Sequence, residues 1–348
     1  VTMIEKSCFK GCSSMKQIFI LSSLTEIKKR AFKECLSLEK ISIPSSVNSI
    51  GDHAFFGCSS LTKIFIPSSV TDIGSNAFDG CSSLQEITIP SSVTKIGLNT
   101  FNGCSSLSEI SIPLSVTEIR YNAFRGCSSL IQVSIPSSVT LIGSKAFYGC
   151  SLLRQISIPL SVTSIGNETF SRCSSLEKIS IPSSATSIGD YDYYGCSSLS
   201  QILIPSTVIS IGNSAFDGCS SLTEIAFESP SSLNSIGKYS FYECFRIKQI
   251  TFPLSVTDIG DSSFERCSSL TQISIPSSVN AIKPNVFKGC SSLMQISFEN
   301  PSSVTSIGSG SFYGCSSLIT ITIPSSVTEI GYSAFKGCSS LEQIIIPP

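Results

Sequence analysis

Tryptophan is absent from this chain of 348 residues, histidine occurs once and methionine three times. With His53 as the single imidazole, a zinc site with two histidine ligands is excluded, and a Ser/His/Asp or Cys/His catalytic system has only one candidate base. The sequence also lacks the glycine-rich motifs that hold phosphates between a strand and a helix. We therefore predict that the protein is not an enzyme and binds no cofactor and no metal.

Charge is scarce as well. Charged residues make up 14% of the chain, and the 23 lysines and arginines nearly balance the 24 aspartates and glutamates. A chain without a basic surface is poorly suited to nucleic acid, so we expect no nucleic-acid partner. No apolar run approaches the roughly 18 residues of a membrane-spanning helix, so no membrane span is predicted. The first residues show no charged leader followed by an apolar stretch, so no signal peptide is predicted within this chain.

Cysteine, in contrast, is abundant and regularly spaced. Fifteen of the 16 cysteines recur at steps of 23 residues, two of the steps being lengthened to 25. The ladder consists of Cys12, Cys35, Cys58, Cys81, Cys104, Cys127, Cys150, Cys173, Cys196, Cys219, Cys244, Cys267, Cys290, Cys315 and Cys338. Between these positions the sequence returns to CSSLxxIxIPSSVTxIGxxAFxG, which predicts one supersecondary unit copied about 14 times, with partial repeats at both ends. The unbroken period predicts a single array over residues 1–348.

Each copy predicts one short strand that ends at a proline. Ile64 and Ile66 alternate with Lys63 and Phe65, the period of a strand with one face toward the core and one toward solvent. Pro67 lacks a backbone donor and therefore ends the ladder of hydrogen bonds.

The rest of the copy predicts a corner and a thin return. Val70 and Ile73 form a second apolar pair, and we predict that Gly74 takes the positive φ of a sharp corner. About seven residues then lead to the next cysteine, enough for one 3-10 or helical turn but not for a long helix. A phenylalanine such as Phe78 recurs in every copy except one, where Tyr193 replaces it. We expect these rings to stack as an aromatic spine between coils that lie about 4.8 Å apart.

The unit LxxIxIPSSVTxIGxxAFxGCSSL resembles the BspA-like class of leucine-rich repeats, and the resemblance covers essentially the whole chain. In one copy the signature positions are filled by Leu84, Ile87, Ile89, Pro90, Val93, Ile96, Gly97, Phe101 and Cys104. The resemblance implies an α/β-type but mostly β solenoid: a right-handed leucine-rich-repeat superhelix with one long parallel sheet on its concave face. The convex face would carry short strands or 3-10 or helical turns. The family also implies a surface or secreted protein that adheres to host matrix proteins or cells.

The cysteine ladder is compatible with free thiols, disulfides or metal ligands. Stacked coils bring equivalent Cα atoms to roughly 5 Å, a distance that a disulfide accepts. Equivalent side chains point in parallel, however, and an odd ladder leaves one cysteine unpaired, which favours free thiols packed as small hydrophobes. Cys8 lies off the ladder, and its CxxxC spacing to Cys12 is weak support for a metal.

The outward positions of the strands are where a solenoid usually contacts its partner. They carry mainly hydroxyl and amide groups, interrupted by a few exposed apolar residues. We predict a protein-binding surface on the concave sheet that includes Phe19, Lys40, Lys63, Phe65, Glu86, Glu109, Gln132, Gln155, Lys178, Gln201 and Leu203. The alternative is a solvated face whose stacked hydroxyl groups contact no partner.

Two further features of the sequence are candidates for contacts. Tyrosines at variable positions of the convex loops, a residue type enriched at binding surfaces, are Tyr121, Tyr148, Tyr191, Tyr194, Tyr239, Tyr242, Tyr313 and Tyr332; ordinary half-buried packing is the alternative. Two copies are longer by two residues, at Glu228-Ser229 and at Glu299-Asn300, just before the proline. We expect both insertions to bulge at the same edge of the solenoid.

These observations favour a non-enzymatic module that binds a protein through its concave sheet, such as a host extracellular-matrix or cell-surface protein. By the family resemblance it would lie at the cell surface or be secreted. The alternative is an intracellular, cytoplasmic scaffold or structural spacer that mediates protein assembly. Because the chain starts and stops within a repeat, we also expect a tendency to self-associate end to end.

Overall fold

The structure is a computed structural model that describes residues 3–20 and 23–347. The chain divides into two compact units, residues 1–179 and residues 180–348, and each is described by itself. Val1, on which the expectation of an N-terminal partial repeat rests, lies outside the described residues. The single array over residues 1–348 stays a prediction.

The first unit is built from parallel strands of two lengths, which alternate along the chain. In chain order they are β1 (Met3–Ile4), β2 (Gln17–Phe19), β3 (Glu26–Ile27), β4 (Lys40–Ser42), β5 (Ser49–Ile50), β6 (Lys63–Phe65), β7 (Asp72–Ile73), β8 (Glu86–Thr88), β9 (Lys95–Ile96), β10 (Glu109–Ser111), β11 (Glu118–Ile119), β12 (Gln132–Ser134), β13 (Leu141–Ile142), β14 (Gln155–Ser157), β15 (Ser164–Ile165) and β16 (Lys178–Ser180). The three-residue strands form one eight-stranded sheet from β2 to β16. The two-residue strands form two four-stranded sheets, β1-β3-β5-β7 and β9-β11-β13-β15.

The second unit repeats this alternation, but four of its strands are longer. They are β17 (Ser187–Ile188), β18 (Gln201–Ile204), β19 (Ser210–Ile211), β20 (Glu224–Phe227), β21 (Ser235–Ile236), β22 (Gln249–Thr251), β23 (Asp258–Ile259), β24 (Gln272–Ile275), β25 (Ala281–Ile282), β26 (Gln295–Phe298), β27 (Ser306–Ile307), β28 (Thr320–Thr322), β29 (Glu329–Ile330) and β30 (Gln343–Ile345). The short strands form the sheets β17-β19-β21-β23 and β25-β27-β29. The others form β18-β20 and β22-β24-β26-β28-β30, so this second series is interrupted between β20 and β22.

Neighbouring coils are paired at a shift of one repeat, as the period predicts. Between β6 and β8, Ile64 lies opposite Ile87 and Phe65 opposite Thr88. Ile64 is buried, whereas Phe65 keeps 65% of its surface exposed. The predicted alternation of core and solvent side chains is therefore confirmed, and each unit is a mostly β, parallel solenoid of the leucine-rich-repeat type.

The predicted aromatic spine is present in both units. Successive phenylalanine rings stack with centroids 5.3 to 5.7 Å apart in the first unit. In the second unit the distances are 5.0 to 5.9 Å, and Tyr193 takes a place in the stack against Phe216. Each ring thereby buries the face of the ring before it, which no single coil could do alone.

The segment between the second strand and the next cysteine forms consecutive turns. Its backbone N–H groups alternate between two kinds of acceptor: the N–H of Phe55 donates to the carbonyl of Ala77 in the next coil at 2.8 Å, whereas that of Cys58 donates back to Phe55 at 3.1 Å. In a helix all these N–H groups would donate to carbonyl groups of the same segment. The described residues of this segment therefore form neither a strand nor the predicted 3-10 or helical turn. Accordingly, the described chain contains no helix that could cross a membrane.

Gly74 differs from its predicted role. Its φ is not positive; the left-handed residues of this coil are Asn76 and Gly80. A Cβ atom at Gly74 would lie 2.4 Å from the backbone nitrogen of Asp52 in the preceding coil. Glycine is needed here because the backbones of two coils approach closely, and not because the chain turns with positive φ.

Candidate functional site

The outward side chains of β2, β4, β6 and β8, which we call the strand surface of the first unit, lie in two columns. One column is Gln17, Lys40, Lys63 and Glu86, and the other is Phe19, Ser42, Phe65 and Thr88. The register therefore brings five predicted residues together: the two phenylalanines, the two lysines and Glu86.

The two phenylalanines dominate this surface. Phe19 is 70% exposed and Phe65 is 65% exposed, and Ser42 alone separates them in their column. Lys63 forms an ion pair with Glu86, with 2.7 Å between Nζ and Oε2. Because both side chains are exposed, this pair adds little stability, and the charges remain available to a partner.

The other predicted residues lie farther along the sheets. Glu109, Gln132 and Gln155 continue the first column on β10, β12 and β14, and Lys178 begins β16. All four are exposed. They extend the polar strand surface without adding an apolar residue to it.

Two predicted residues belong to the second unit. Gln201 and Leu203 lie on β18, where they face Glu224 and Ala226 of β20. Leu203 is 51% exposed. It is an apolar contact point beside the first inserted coil.

A groove of about 1010 Å³ opens beside that insertion. Residues 223–231, residues 248–255 and Thr271 line it, so it lies between the coils of β20 and β22, where the sheet is interrupted. Leu254 is 69% exposed at its rim, and Phe227 is half-buried in its wall. The groove therefore combines apolar residues at the strand ends with polar residues at the strand starts.

The insertion is hydrogen-bonded to the coil before it, and the groove lies on its other side. The N–H of Glu228 donates to the carbonyl of Ile204 at 3.0 Å, and its carboxylate accepts the N–H of Ser206 at 3.0 Å. The next coil lacks the two added residues and cannot match the bulge. A gap remains on that side.

The second insertion repeats this arrangement. Glu299 donates to the carbonyl of Ile275 and accepts from the N–H of Ser277, at 3.0 and 3.2 Å. A smaller groove of about 500 Å³ lies between residues 295–302 and the coil of β28. Both insertions therefore make the same hydrogen bonds to the coil before them. The sequence predicted two bulges at one edge but not the grooves beside them. Their signal was the 25-residue step, which indicates a coil that its successor cannot cover.

Thirteen of the fifteen ladder cysteines are buried, whereas Cys12 is exposed and Cys338 is half-buried, and none of them forms a disulfide. Cys58 donates from Sγ to the carbonyl of Phe32 at 3.2 Å, and the same bond recurs from coil to coil. Burial raises the pKa of the Cys35 thiol to about 11 and that of Cys58 to about 12. Thiols with such pKa values are poor nucleophiles at neutral pH, so they serve packing and not chemistry.

Among the described residues, the side chains that could bind a metal ion or act in catalysis do not lie together in one site. Over residues 3–20 and 23–347, no group of three or more His, Cys, Asp or Glu side chains could hold a metal ion. His53 is half-buried, with φ at 57°. Burial, followed by the neighbouring Arg30 and Lys29, lowers the pKa of its imidazole.

Asp217 makes the stability of the second unit dependent on pH. Burial raises the pKa of its carboxyl to about 6, and the charge of Glu243 adds to the rise, whereas a hydrogen bond with Ser214 opposes it. In the unfolded chain an aspartate has a pKa of about 3.9. Between about pH 4 and about pH 6 the folded state therefore binds more protons than the unfolded state, and stability falls as the pH rises through this window.

Replacing the Asp217 carboxyl by an amide should remove this pH dependence of stability. Asp217→Asn is expected to raise the melting temperature of the second unit at about pH 7.5 and to leave it unchanged near about pH 3.5, as measured by circular dichroism. Asp72→Asn, at an exposed position of β7, is the control. An equal gain at both pH values would contradict the assignment.

Comparison with known proteins gives consistent matches over the whole chain. The family model described as BspA type leucine-rich repeat region (6 copies) matches residues 2–131, 94–223, 186–300 and 292–348. A search of curated protein sequences finds no match.

Solved structures of leucine-rich-repeat proteins are also similar. One from Bacteroides ovatus is 29% identical with a TM-score of 0.60, over 94% of this chain and 88% of that one. A leucine-rich cell surface protein from Faecalibacterium prausnitzii is 31% identical with a TM-score of 0.49, over 100% of this chain and 83% of that one. A leucine-rich-repeat protein from Eubacterium ventriosum is 24% identical with a TM-score of 0.48, over 94% and 84% of the two chains.

Proposed function

The chain belongs to the BspA-type leucine-rich-repeat family, and on that premise we propose that it is a non-enzymatic module that binds a protein through the strand surface. Repeat families of this shape use the regular face of their coils for recognition. The family resemblance further supports a place at the cell surface and a partner among host matrix or cell-surface proteins.

The pair of exposed phenylalanines in the first unit carries this proposal. Phe19 and Phe65 keep most of their surface in water although neighbouring positions of the same column hold Ser and Thr. A large apolar side chain gains free energy when a partner covers it, at about 25 cal/mol per Å². Lys40 and Lys63 beside them supply charge and an apolar stem, which suits the rim of a protein interface.

A binding assay with matched variants tests this surface. The purified chain is passed over a panel of immobilised extracellular-matrix proteins, and the double substitution Phe19→Ser with Phe65→Ser is expected to weaken the retained interaction at least about ten-fold. The control substitutes Leu36 and Leu152 by Ser; these are 48% and 49% exposed but lie in the turns after the ladder cysteines. Equal losses in both pairs, or no retention of any matrix protein, would count against adhesion through the strand surface.

A second function, an intracellular scaffold, is favoured by the thiols. Thirteen ladder cysteines are buried and form no disulfide, and proteins whose cysteines stay reduced are typical of reducing compartments. Binding partners captured from cytosolic extract, lost with the same two phenylalanines and absent from the matrix panel, would favour the scaffold. Retention of a matrix protein by the parent chain and not by the double variant would favour adhesion.

A further inference from the structure

Two arginines flank one tyrosine on the turn segments of the first unit. The guanidinium carbon of Arg125 lies 5.2 Å from the ring centroid of Tyr148, and that of Arg172 lies 5.7 Å from the same centroid. The two arginines come from the coils before and after the tyrosine. Both are exposed, and the ring between them is half-buried.

These two arginines have no carboxylate partner. The ion pairs of the described residues include neither Arg125 nor Arg172. The nearby Lys145 is already paired with Glu168 at 3.2 Å. Asp79, two coils before Arg125, accepts a hydrogen bond from Asn102 at 2.9 Å. Burial raises the pKa of the Asp79 carboxyl, whereas this hydrogen bond and the charge of Arg125 lower it. Arg125 and Arg172 are both exposed, so a ligand can reach their guanidinium groups.

Arg172 also occupies a backbone position that favours glycine. Its φ is 61°, and the equivalent residue of most other coils is a glycine with positive φ, such as Gly149. The other residues with side chains at this position take part in ion pairs: Glu34 with Lys33, and Glu243 with Arg266. Arg172 takes the same unfavourable backbone conformation without an ion pair, and its guanidinium group lies beside the ring of Tyr148 instead.

The second unit contains an equivalent tyrosine and arginine, but there a carboxylate neutralises the charge of the arginine. Arg266 lies 5.7 Å from the ring centroid of Tyr242, as Arg172 does from Tyr148. There the residue after the tyrosine is Glu243, whose carboxylate binds Arg266 at 2.6 Å. The position of the flanking Arg125 is taken by Asp217. Two sites with one geometry thus differ in charge, and only the first is free to bind an anion.

We propose that Arg125, Tyr148 and Arg172 form a binding site for a linear sulfated polysaccharide. A guanidinium group matches a sulfate oxyanion through parallel N–H donors. From their distances to the ring, the two guanidinium carbons are at most about 11 Å apart, so both can contact sulfate groups of one polysaccharide chain. Sulfates on successive sugars of one chain offer charges at distances of this order, whereas a lone ion would contact one arginine.

The surroundings favour a glycan over nucleic acid. Non-specific binding of nucleic acid depends on a long basic surface and, for single strands, on open aromatic faces for the bases. This chain has a net charge of −1. The ring of Tyr148 is half-buried and has a guanidinium from each neighbouring coil beside it, which makes it a poor stacking platform for a base. The site lies on the turn segments and is independent of the strand surface proposed for the protein partner.

The test measures binding of size-defined heparin oligosaccharides to the purified chain by titration calorimetry at low and physiological salt. Arg125→Gln and Arg172→Gln are each expected to weaken binding about ten-fold, the effect of one charge-assisted contact. Gly149→Glu is expected to do the same without removing either arginine, because it recreates the carboxylate of Glu243 at a position where glutamate is tolerated. Arg266→Gln, in the neutralised site, should leave the affinity unchanged.

Three results would overturn the proposal. Variants at residues 125, 172 and 149 that keep parental affinity and melting temperature would show that heparin binds elsewhere. Equal binding of fully desulfated heparin would exclude recognition of sulfate. Polyphosphate or oligo(dT) that binds as tightly as heparin, and is lost with the same variants, would assign the site to a phosphate polyanion instead of a glycan.

Discussion

Phe147→Ala is expected to lower the free energy of unfolding of the first unit by about 3–5 kcal/mol, the largest effect of any single substitution considered. Phe147 is fully buried, and its ring lies between those of Phe124 and Phe170 at centroid distances of 5.4 and 5.7 Å. Truncation removes both stacking contacts and leaves a cavity that the neighbouring coils cannot fill, because their backbones are tied by hydrogen bonds on both sides. Urea unfolding followed by far-UV circular dichroism measures the change.

Phe65→Ala is the matched control, since the same side chain is removed from the strand surface. At 65% exposure, its loss should change the free energy of unfolding by no more than about 0.5 kcal/mol. A repeat protein can lose stability locally, so the transition of the Phe147 variant is expected to broaden or split. If both variants unfolded like the parent, the phenylalanine column would not be a stabilising core.

The regular features of this fold were predictable because the repeat shows them many times. Ile64 and Phe65 revealed the inward and outward faces of the strand by their alternation, and the recurrence of phenylalanine at one position revealed the spine. Because every copy folds in the same way, a position that is apolar in nearly all copies is identified as a core position even where one copy differs. Buried thiols without disulfides were predicted in the same way, because equivalent side chains in stacked coils point in parallel, which suits packing but not disulfide formation.

The features that escaped prediction depend on contacts between unlike coils. Gly74 could be recognised as special from sequence, but whether its role was positive φ or close approach depends on where Asp52 lies in the preceding coil. The turn segments seemed long enough for one helical turn, yet every second N–H group donates to the next coil instead of within the turn. The groove beside Glu228 exists because the following coil lacks a matching bulge, which the local sequence of either coil does not reveal.

Thiol reactivity gives the second large expected effect. In the native protein at about pH 8, the exposed Cys8 and Cys12 should react promptly with a thiol reagent, whereas the thirteen buried ladder thiols should not react until the chain unfolds. Burial acts twice, because it blocks access and raises the pKa. With a pKa of about 11, the Cys35 thiol is ionised to about one part in a thousand at this pH. Alkylation followed by mass spectrometry counts the modified sites.

The unfolded chain supplies the total for comparison. In denaturant without reductant, all 16 cysteines of the parent should react, and 14 in the double variant Cys8→Ser with Cys12→Ser. A lower total would indicate disulfides in the ladder, and rapid native reaction of many ladder cysteines would show that the core is not closed.

Combining the two experiments tests the coupling between coils. Cys173 donates from Sγ to the backbone carbonyl of Phe147 at 3.2 Å, so it packs directly against the coil whose ring Phe147→Ala removes. If stability is a sum over neighbouring interfaces, the variant should expose Cys150 and Cys173 at lower urea than the parent while Cys58, four coils away, keeps its protection. Uniform loss of protection along the first unit would instead show that its coils unfold as one cooperative block.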